Sequence, residues 1–306
     1  MTLFRSSVDV RRRGWPGLTR CLPHCLGPRR VQWLRSGPAL GLAVGLLALG
    51  AGCTIASVGP PSREHTLAQV LPTAAQVIVE QGGRRVRSAS GVVLAVRPSP
   101  QGPDCYVLTS GHMLARGTGE DTVSVLLSRY DGPGVKARAT ILALRDTADL
   151  DLGLLRVSGG PCTPAQLGEP PTLGAEIWVI AFPWGRHLTL VSGIISQLNP
   201  QGSTDSVEPA PRLMVDASVS YGSSGGGVYA VRSGRLVGLV EGYRTARVPL
   251  PGETASYIEV PSPGETNVTP LSDIRRFLME VGYASLLGSA THLATSGPGV
   301  PTPAAP

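Results

Sequence analysis

The sequence predicts an all-β fold, a barrel or sandwich followed by a single late helix. Three observations carry that expectation. Short runs dominated by Val, Ile and Leu recur from about Ala75 to Val260, with Gly, Pro, Asp or Ser clusters between them. Glycine (39) and proline (28) are abundant and aromatics make up 5% of the 306 residues, which suits many tight turns better than long helices. No run in that span keeps apolar helical spacing over three turns.

Taken in chain order, the runs are Gln76–Glu80, Ser90–Val96, Tyr106–Thr109, Thr122–Leu127, Ala139–Leu144 and Leu152–Val157. Glu176–Phe182, Leu188–Leu198, Leu213–Ala217, Val228–Val231, Leu236–Glu241 and Tyr257–Val260 follow. Each has strand length and a branched apolar content that favours a pleated, half-buried surface. The segment after Val260 breaks the pattern. Thr269, Pro270 and LSDIRRFLMEVG read as an N-cap, a proline at the first helical position and a glycine stop. Leu271, Ile274, Phe277, Leu278 and Val281 share one face, spaced to dock on a barrel. The small, polar, Pro-containing residues 53–73 read as a tether. The Pro/Ala-rich residues 286–306 read as a disordered tail, which leaves the folded domain at 74–285.

Apolar residues form 42% of the chain and charged residues 16%, enough to build a core and too few charges for global disorder. The net charge of +6 does not point to nucleic acid. Residues 1–52 hold eight arginines and one acid, Asp9, so the leader carries +7 and the remainder −1. A nucleic-acid binder needs its basic surface on the folded body. The apolar stretch 39–52 behind that arginine-rich segment reads as a secretory signal, short for a bilayer span. Gly50-Ala51-Gly52-Cys53 resembles a bacterial lipobox, with Gly50 where leucine is usual; that resemblance implies lipid on Cys53 and a membrane-anchored protein of the cell envelope. An uncleaved anchor and an ordinary signal peptide are the alternatives. All three versions send the body out of the cytoplasm.

Cys21 and Cys25 fall in the leader, and their spacing has no second ligand cluster beside it. Cys105 and Cys162 remain as an even pair in an oxidising compartment, so a disulfide between them is expected. No cofactor is implied, and no metal site: the body has no His/Cys/Asp cluster at ligand spacing.

Three short segments carry chemistry. In Gly222-Ser223-Ser224-Gly225-Gly226, flanking glycines permit a tight turn that exposes a serine and lets a substrate carbonyl approach the main chain. The N–H groups of Gly222 and Ser224 are the candidate oxyanion donors. Alone, the segment reads more readily as a Gly/Ser hairpin loop. Tyr106–His112 is an apolar run ending in Thr-Ser-Gly-His, which sets an imidazole at a strand exit; a lone histidine is more often a surface residue. His187 is the one rival within the body. Asp149 and Asp151 both precede an apolar run, and strand alternation cannot separate two residues of equal parity. The order His, Asp, Ser on an all-β pattern belongs to one class of nucleophilic hydrolase and not to those with other orders. Gly222–Gly226 also fits a strand-to-helix nucleophile elbow, but the helices that elbow needs are missing and VYAV follows.

At these residues the sequence resembles the bacterial HtrA/Deg-like branch of the trypsin-fold serine proteases. The likeness spans about Ala75–Leu278: Ser88–Leu94, Val107–His112, Asp151–Leu155, Ala181–Gly185 with Val191–Ser196, Val215–Gly226 and Tyr257–Pro261. It implies two six-stranded antiparallel Greek-key β-barrels with a C-terminal helix, and His112, Asp151 and Ser224 as triad, favouring Asp151 over Asp149. It implies a substrate pocket near Ser218, Tyr221, Val240, Glu241 and Gly242. Ser218, where a trypsin-like enzyme carries an acid, points to small or medium apolar residues at the cut, unless Glu241 faces inward. Ser223 and Gly227 depart from the family's usual Asn and Pro. The chain stops where the family typically adds a peptide-binding PDZ domain, so the expectation is a protease without one. Expected partners are polypeptide substrates, exported or misfolded, and the membrane. The rival expectation is a catalytically silent trypsin-fold binding or scaffold lipoprotein. The oligomeric state is not legible.

Overall fold

The computed structural model describes residues 62–115, 117, 120–129, 132–198, 213–250 and 256–291. The leader, the lipobox and Cys53 lie outside the described residues, as does the tail beyond 291.

Among the described residues twelve strands close into two barrels. The first contains β1 (Ala74–Gln81), β2 (Arg84–Arg97), β3 (Asp104–Thr109), β4 (Thr122–Leu127), β5 (Val135–Asp146) and β6 (Asp151–Ser158). Its order is β1-β2-β3-β6-β5-β4, with every pairing antiparallel. The chain leaves β3, crosses to β4 beside β1 and returns to β6 beside β3, the Greek-key path expected. The second barrel repeats the plan with β7 (Glu176–Ala181), β8 (Thr189–Leu198), β9 (Leu213–Val215), β10 (Gly227–Ala230), β11 (Leu236–Pro249) and β12 (Tyr257–Pro270).

Strand alternation explains the two-barrel packing. On β3, Cys105 and Val107 fill the first barrel, while Leu108 faces the other way; on β6, Leu155 and Val157 go inward and Leu152 and Leu154 outward. On β7, Ile177 and Val179 fill the second barrel, while Trp178 and Ile180 face outward. Those outward residues form a third cluster between the barrels, shared by Val92, Leu108, Tyr229 and Leu239. Helix α3, to which the label α3 is given because two shorter helices precede it (α1, Arg63–Val70; α2, His112–Ala115), spans Leu271–Glu280 and buries Ile274, Phe277 and Leu278 in the same cluster. Its start differs from expectation. Pro270 is the N-cap and still belongs to β12, and no side chain caps the helix.

Both flanks of the domain are more ordered than composition suggests. The tether expected to reach residue 73 is helical from Arg63, and a 3-10 turn covers Leu71–Thr73. Ser62 caps α1 by accepting from the His65 N–H, Val70 is buried in the inter-barrel cluster, and the Arg63 guanidinium lies over the Trp178 ring. The Thr73 hydroxyl bonds the buried Tyr229 hydroxyl at 2.6 Å. Tertiary contacts, not an apolar stripe, hold this helix, so periodicity could not reveal it. The first residues expected in the tail are likewise structured: Leu286 is buried, and a 3-10 segment runs over Ala284–Thr291.

The connection from β6 to β7 belongs to both barrels. The Ala165 N–H donates to the Val93 carbonyl on β2, and the Leu236 N–H of β11 donates to Gln166. Cys162, in this connection, is disulfide-bonded to Cys105 on β3.

Candidate active site

His112 begins the one-turn helix α2, three residues after the end of β3, and Asp151 opens β6. The Asp151 carboxylate engages the histidine twice. One oxygen accepts the His112 backbone N–H at 2.6 Å and the other meets ring Nδ1 at 2.6 Å. A carboxylate held at both oxygens fixes the ring's orientation and leaves Nε2 as the outward nitrogen. Gly111 permits this approach, because a Cβ there would collide with the Arg145 carbonyl and sit 3.1 Å from Asp151 Oδ1. Side-chain exposures of 28% for His112 and 11% for Asp151 leave the imidazole reachable and the acid largely covered. Asp149 goes elsewhere: it pairs with Arg276 on α3 at 2.6 Å and holds that guanidinium's pKa above its usual value.

Ser224 lies on the turn between β9 and β10, on the other barrel. Gly222 (φ +85) and Gly225 (φ +83) take left-handed backbone on either side of Ser223 and Ser224, as a tight turn requires. Ser90, fully buried on β2, fastens this turn to the first barrel. Its N–H donates to the Ser224 carbonyl at 2.9 Å and its hydroxyl donates to the Gly222 carbonyl at 2.7 Å. The same hydroxyl accepts the Phe182 N–H, and the Ser90 carbonyl accepts from Thr109. A Cβ on Gly225 would meet Ser90, Thr109 and the Ser110 N–H, so the turn abuts the strand end that leads to His112. Among the described residues no hydrogen bond joins the Ser224 hydroxyl to the His112 ring.

The peptide between Tyr221 and Gly222 is held by its carbonyl, which accepts the Trp184 N–H at 2.6 Å. A trans peptide points its N–H opposite to its C=O, so this bond aims the Gly222 N–H away from Trp184. Neither that N–H nor the Ser224 N–H donates to another group among the described residues. Trp184 holds this position at φ 58, the non-glycine residue in left-handed backbone among those described.

Two cavities border the turn and share no lining residue. One, of about 210 Å³, is walled by Val179, Ala181, Val191, Ser218 and Ser223, with no charged side chain. The other, of about 230 Å³, is walled by Arg85, Arg87, Ser88, Trp184, Tyr221 and Gly222. The residues expected at the pocket divide between these surroundings. Ser218 lines the first cavity, and Tyr221, with 65% exposure, lines the second, its ring tilted against Trp184 and edge-on to Tyr243. Burial pushes the Tyr243 hydroxyl up to about 12, with the Tyr221 hydroxyl as a further cause. Val240 is wholly buried in the second barrel, its carbonyl taken by the Gly225 N–H and the Ser110 hydroxyl. Glu241 and Gly242 line neither cavity. Their strand passes the Ser224 turn through its backbone, and alternation turns Val240 inward.

Residues 89–239 match the trypsin-like peptidase domain. The chain carries a trypsin-like peptidase domain. That domain is related to the HtrA, DegP and DegS serine proteases. Over 139 residues it is 29% identical to a probable periplasmic serine endoprotease DegP-like of Pseudomonas savastanoi, covering 45% of this chain and 26% of that protein. Over 150 residues it is 26% identical to the serine endoprotease DegS of Haemophilus influenzae, covering 49% and 40%. The chain thus spans between a quarter and two fifths of the length of these relatives. The fold of this trypsin-like domain also matches the serine endoprotease of Yersinia pestis with a TM-score of 0.53 at 19% identity, over 72% of this chain and 67% of that one.

Sequence reasoning missed Ser90, Trp184 and Arg85. Ser90 stands in the Ser88–Leu94 segment that carries the family likeness, so the signal was in hand. Its role as a fastener between barrels needed the three-dimensional contacts.

Proposed function

We propose that this chain is a serine endopeptidase that hydrolyses polypeptides through an acyl-enzyme on Ser224. The observation that carries the reading is the doubly held His112–Asp151 pair on the barrel to which Ser90 fastens the Ser224 turn. In the reaction the Ser224 hydroxyl adds to the scissile carbonyl while His112 Nε2 takes its proton. Asp151 orients the ring and stabilises the imidazolium. The negative oxygen is met by the Gly222 and Ser224 N–H groups, which are not spent on other acceptors among the described residues. Collapse breaks the C–N bond, and His112 gives the proton to the leaving amine. Water then repeats the sequence on the ester and frees the acid and Ser224.

The uncharged cavity beside Ser218 supports a small or medium apolar residue on the acyl side of the cut. The periplasmic naming of the DegP-like relative supports work on exported or misfolded proteins in the cell envelope. Lipid on Cys53 would hold the enzyme at the membrane.

The test is direct. A fluorophosphonate probe should label the wild type and not Ser224→Ala, and the variant should lose casein hydrolysis by about 10⁴-fold or more. Equal hydrolysis by the two proteins would defeat the assignment. One observation favours the rival reading of a silent scaffold: no hydrogen bond joins Ser224 and His112 among the described residues. Such bonds commonly tighten when substrate arrives. A wild type that binds polypeptide yet takes no probe would decide for the scaffold.

A further inference from the structure

The cavity on the far side of the nucleophile turn has a chemistry that the triad does not use. Its floor is Gly222, a candidate oxyanion donor, and its walls are Trp184 and Tyr221 on one side and Arg85 to Ser88 of β2 on the other. The scissile carbon has two substituents that leave it in opposite directions. If the acyl-side residue enters the uncharged cavity at Ser218, the leaving peptide runs toward the other one. The turn residues 218–220 and 223 wall the first cavity, and 221–222 wall the second.

The two arginines of this wall are not equivalent. Arg87 is half-buried and ion-paired with Asp121 at 2.5 Å. Arg85 is exposed and donates Nη1 to the Gly185 carbonyl at 2.6 Å. No carboxylate neutralises Arg85 among the described residues. A guanidinium has five donors in a fixed fork, so anchoring one edge on Gly185 presents the remainder in a set direction. Trp184 and Tyr221 supply apolar faces for the peptide on the opposite wall. We infer that Arg85 selects substrates with a carboxylate shortly after the scissile bond, either an Asp or Glu side chain or the substrate's own chain end. The inference rests on the reading of Ser224 as nucleophile for its direction along the substrate. The binding chemistry of the groove does not depend on turnover.

The experiment therefore has two readouts on the full chain. The first uses fluorogenic peptides that differ by Glu against Gln in the first three positions after the cut. The expected kcat/KM preference for Glu is about two- to fivefold at low salt, the scale of an exposed ion pair, shrinking as salt is added. Arg85→Gln should bring the ratio to about one. The ratio is the readout because a purely structural role, support of the Trp184–Gly185 turn, would slow both peptides alike. The second measures binding of the same labelled peptides to Ser224→Ala and to the double variant with Arg85→Gln. A Glu preference there that vanishes with Arg85, in a chain whose wild type takes no fluorophosphonate, keeps the groove and removes the peptidase reading. A third peptide pair, neutral throughout, ends in a free acid or an amide at these positions. A preference confined to it identifies the chain end as the source. A wild type indifferent to Glu and to the free acid in both readouts, or a preference that survives Arg85→Gln, overturns the inference.

Discussion

Asp149 and Asp151 stand two residues apart with the same parity, and their neighbours give them different work. Asp151 is mostly covered and bonded at both oxygens to His112, whereas Asp149 is 59% exposed and tied to Arg276. Asp151→Asn should therefore lower kcat by about 10⁴-fold, by offering the ring an amide in place of an acceptor. Asp149→Asn should leave kcat within about twofold, since it removes an exposed ion pair worth at most ~1 kcal/mol. Parallel kinetics on the two variants check both statements. Ser90 gives a sharper case. Ser90→Ala leaves the Phe182 N–H and the Gly222 carbonyl without their shared hydroxyl. A cost of about 1–3 kcal/mol in stability is expected from the unpaired groups, together, under the proposed mechanism, with a fall in kcat larger than any rise in KM, because the Gly222 carbonyl loses its brace. Urea unfolding and steady-state kinetics on one preparation would show it. His112 and Ser224 stand out in the sequence as candidates because their Gly-rich surroundings are local. The choice of Asp151 over Asp149 needed family likeness, and Ser90, though inside a segment that carries that likeness, shows nothing of its fastening role there, because the partners it fastens lie 92 to 134 residues away along the chain.

Elements were legible wherever an apolar run made the strand. All twelve expected runs overlap observed strands, and Thr122–Leu127 coincides with β4 end to end. The misses share a physical cause. β11 runs past Glu241 to Pro249 and β12 past Val260 to Pro270, and where Thr245–Pro249 meets Tyr257–Pro261 the exposed ladder is made by backbone pairing without apolar alternation. Helix α1 and the segment after α3 are held by contacts with the inter-barrel cluster, which no local pattern records. Thr73→Val tests the first of these. It keeps the shape, removes the partner of the buried Tyr229 hydroxyl, and should cost about 1–3 kcal/mol by chemical denaturation. Glu80 on β1 offers a pH test at this scale. The Lys136 ammonium on β5, and then the Ser124 hydroxyl, hold its carboxyl below the ordinary 4.5. A depressed carboxyl stabilises the fold above its unfolded value and loses that contribution as pH falls through the lower folded one. Wild type should exceed Glu80→Gln by less than ~1 kcal/mol at neutral pH, and the two should converge in denaturation curves as pH falls through the lowered folded value.

For the whole molecule, the site exists because two barrels, each with its own core, share a third cluster and a serine. His112 and Asp151 come from one barrel and Ser224 from the other, so neither barrel holds the three side chains alone. Barrel count and Greek-key order followed from strand number and family likeness. The division of the groove into an uncharged and a basic cavity did not, since it depends on which way single side chains face. Gly225→Ala probes the junction itself. Its Cβ would strike Ser90, Thr109 and Ser110 at a φ of +83, so loss of fluorophosphonate labelling is expected while circular dichroism keeps the strand signature of both barrels.

The bond between Cys105 and Cys162 encloses 57 positions of sequence separation, with His112 and Asp151 both inside. Under the proposed activity, a single cut by another copy after His112 and before Asp151 would put these two side chains on different fragments while leaving one covalent molecule. Such a nicked population would run as intact material on a gel without reductant and fall apart into two bands once the sulfurs are reduced. Loss of activity without apparent loss of protein would then be a record of self-digestion.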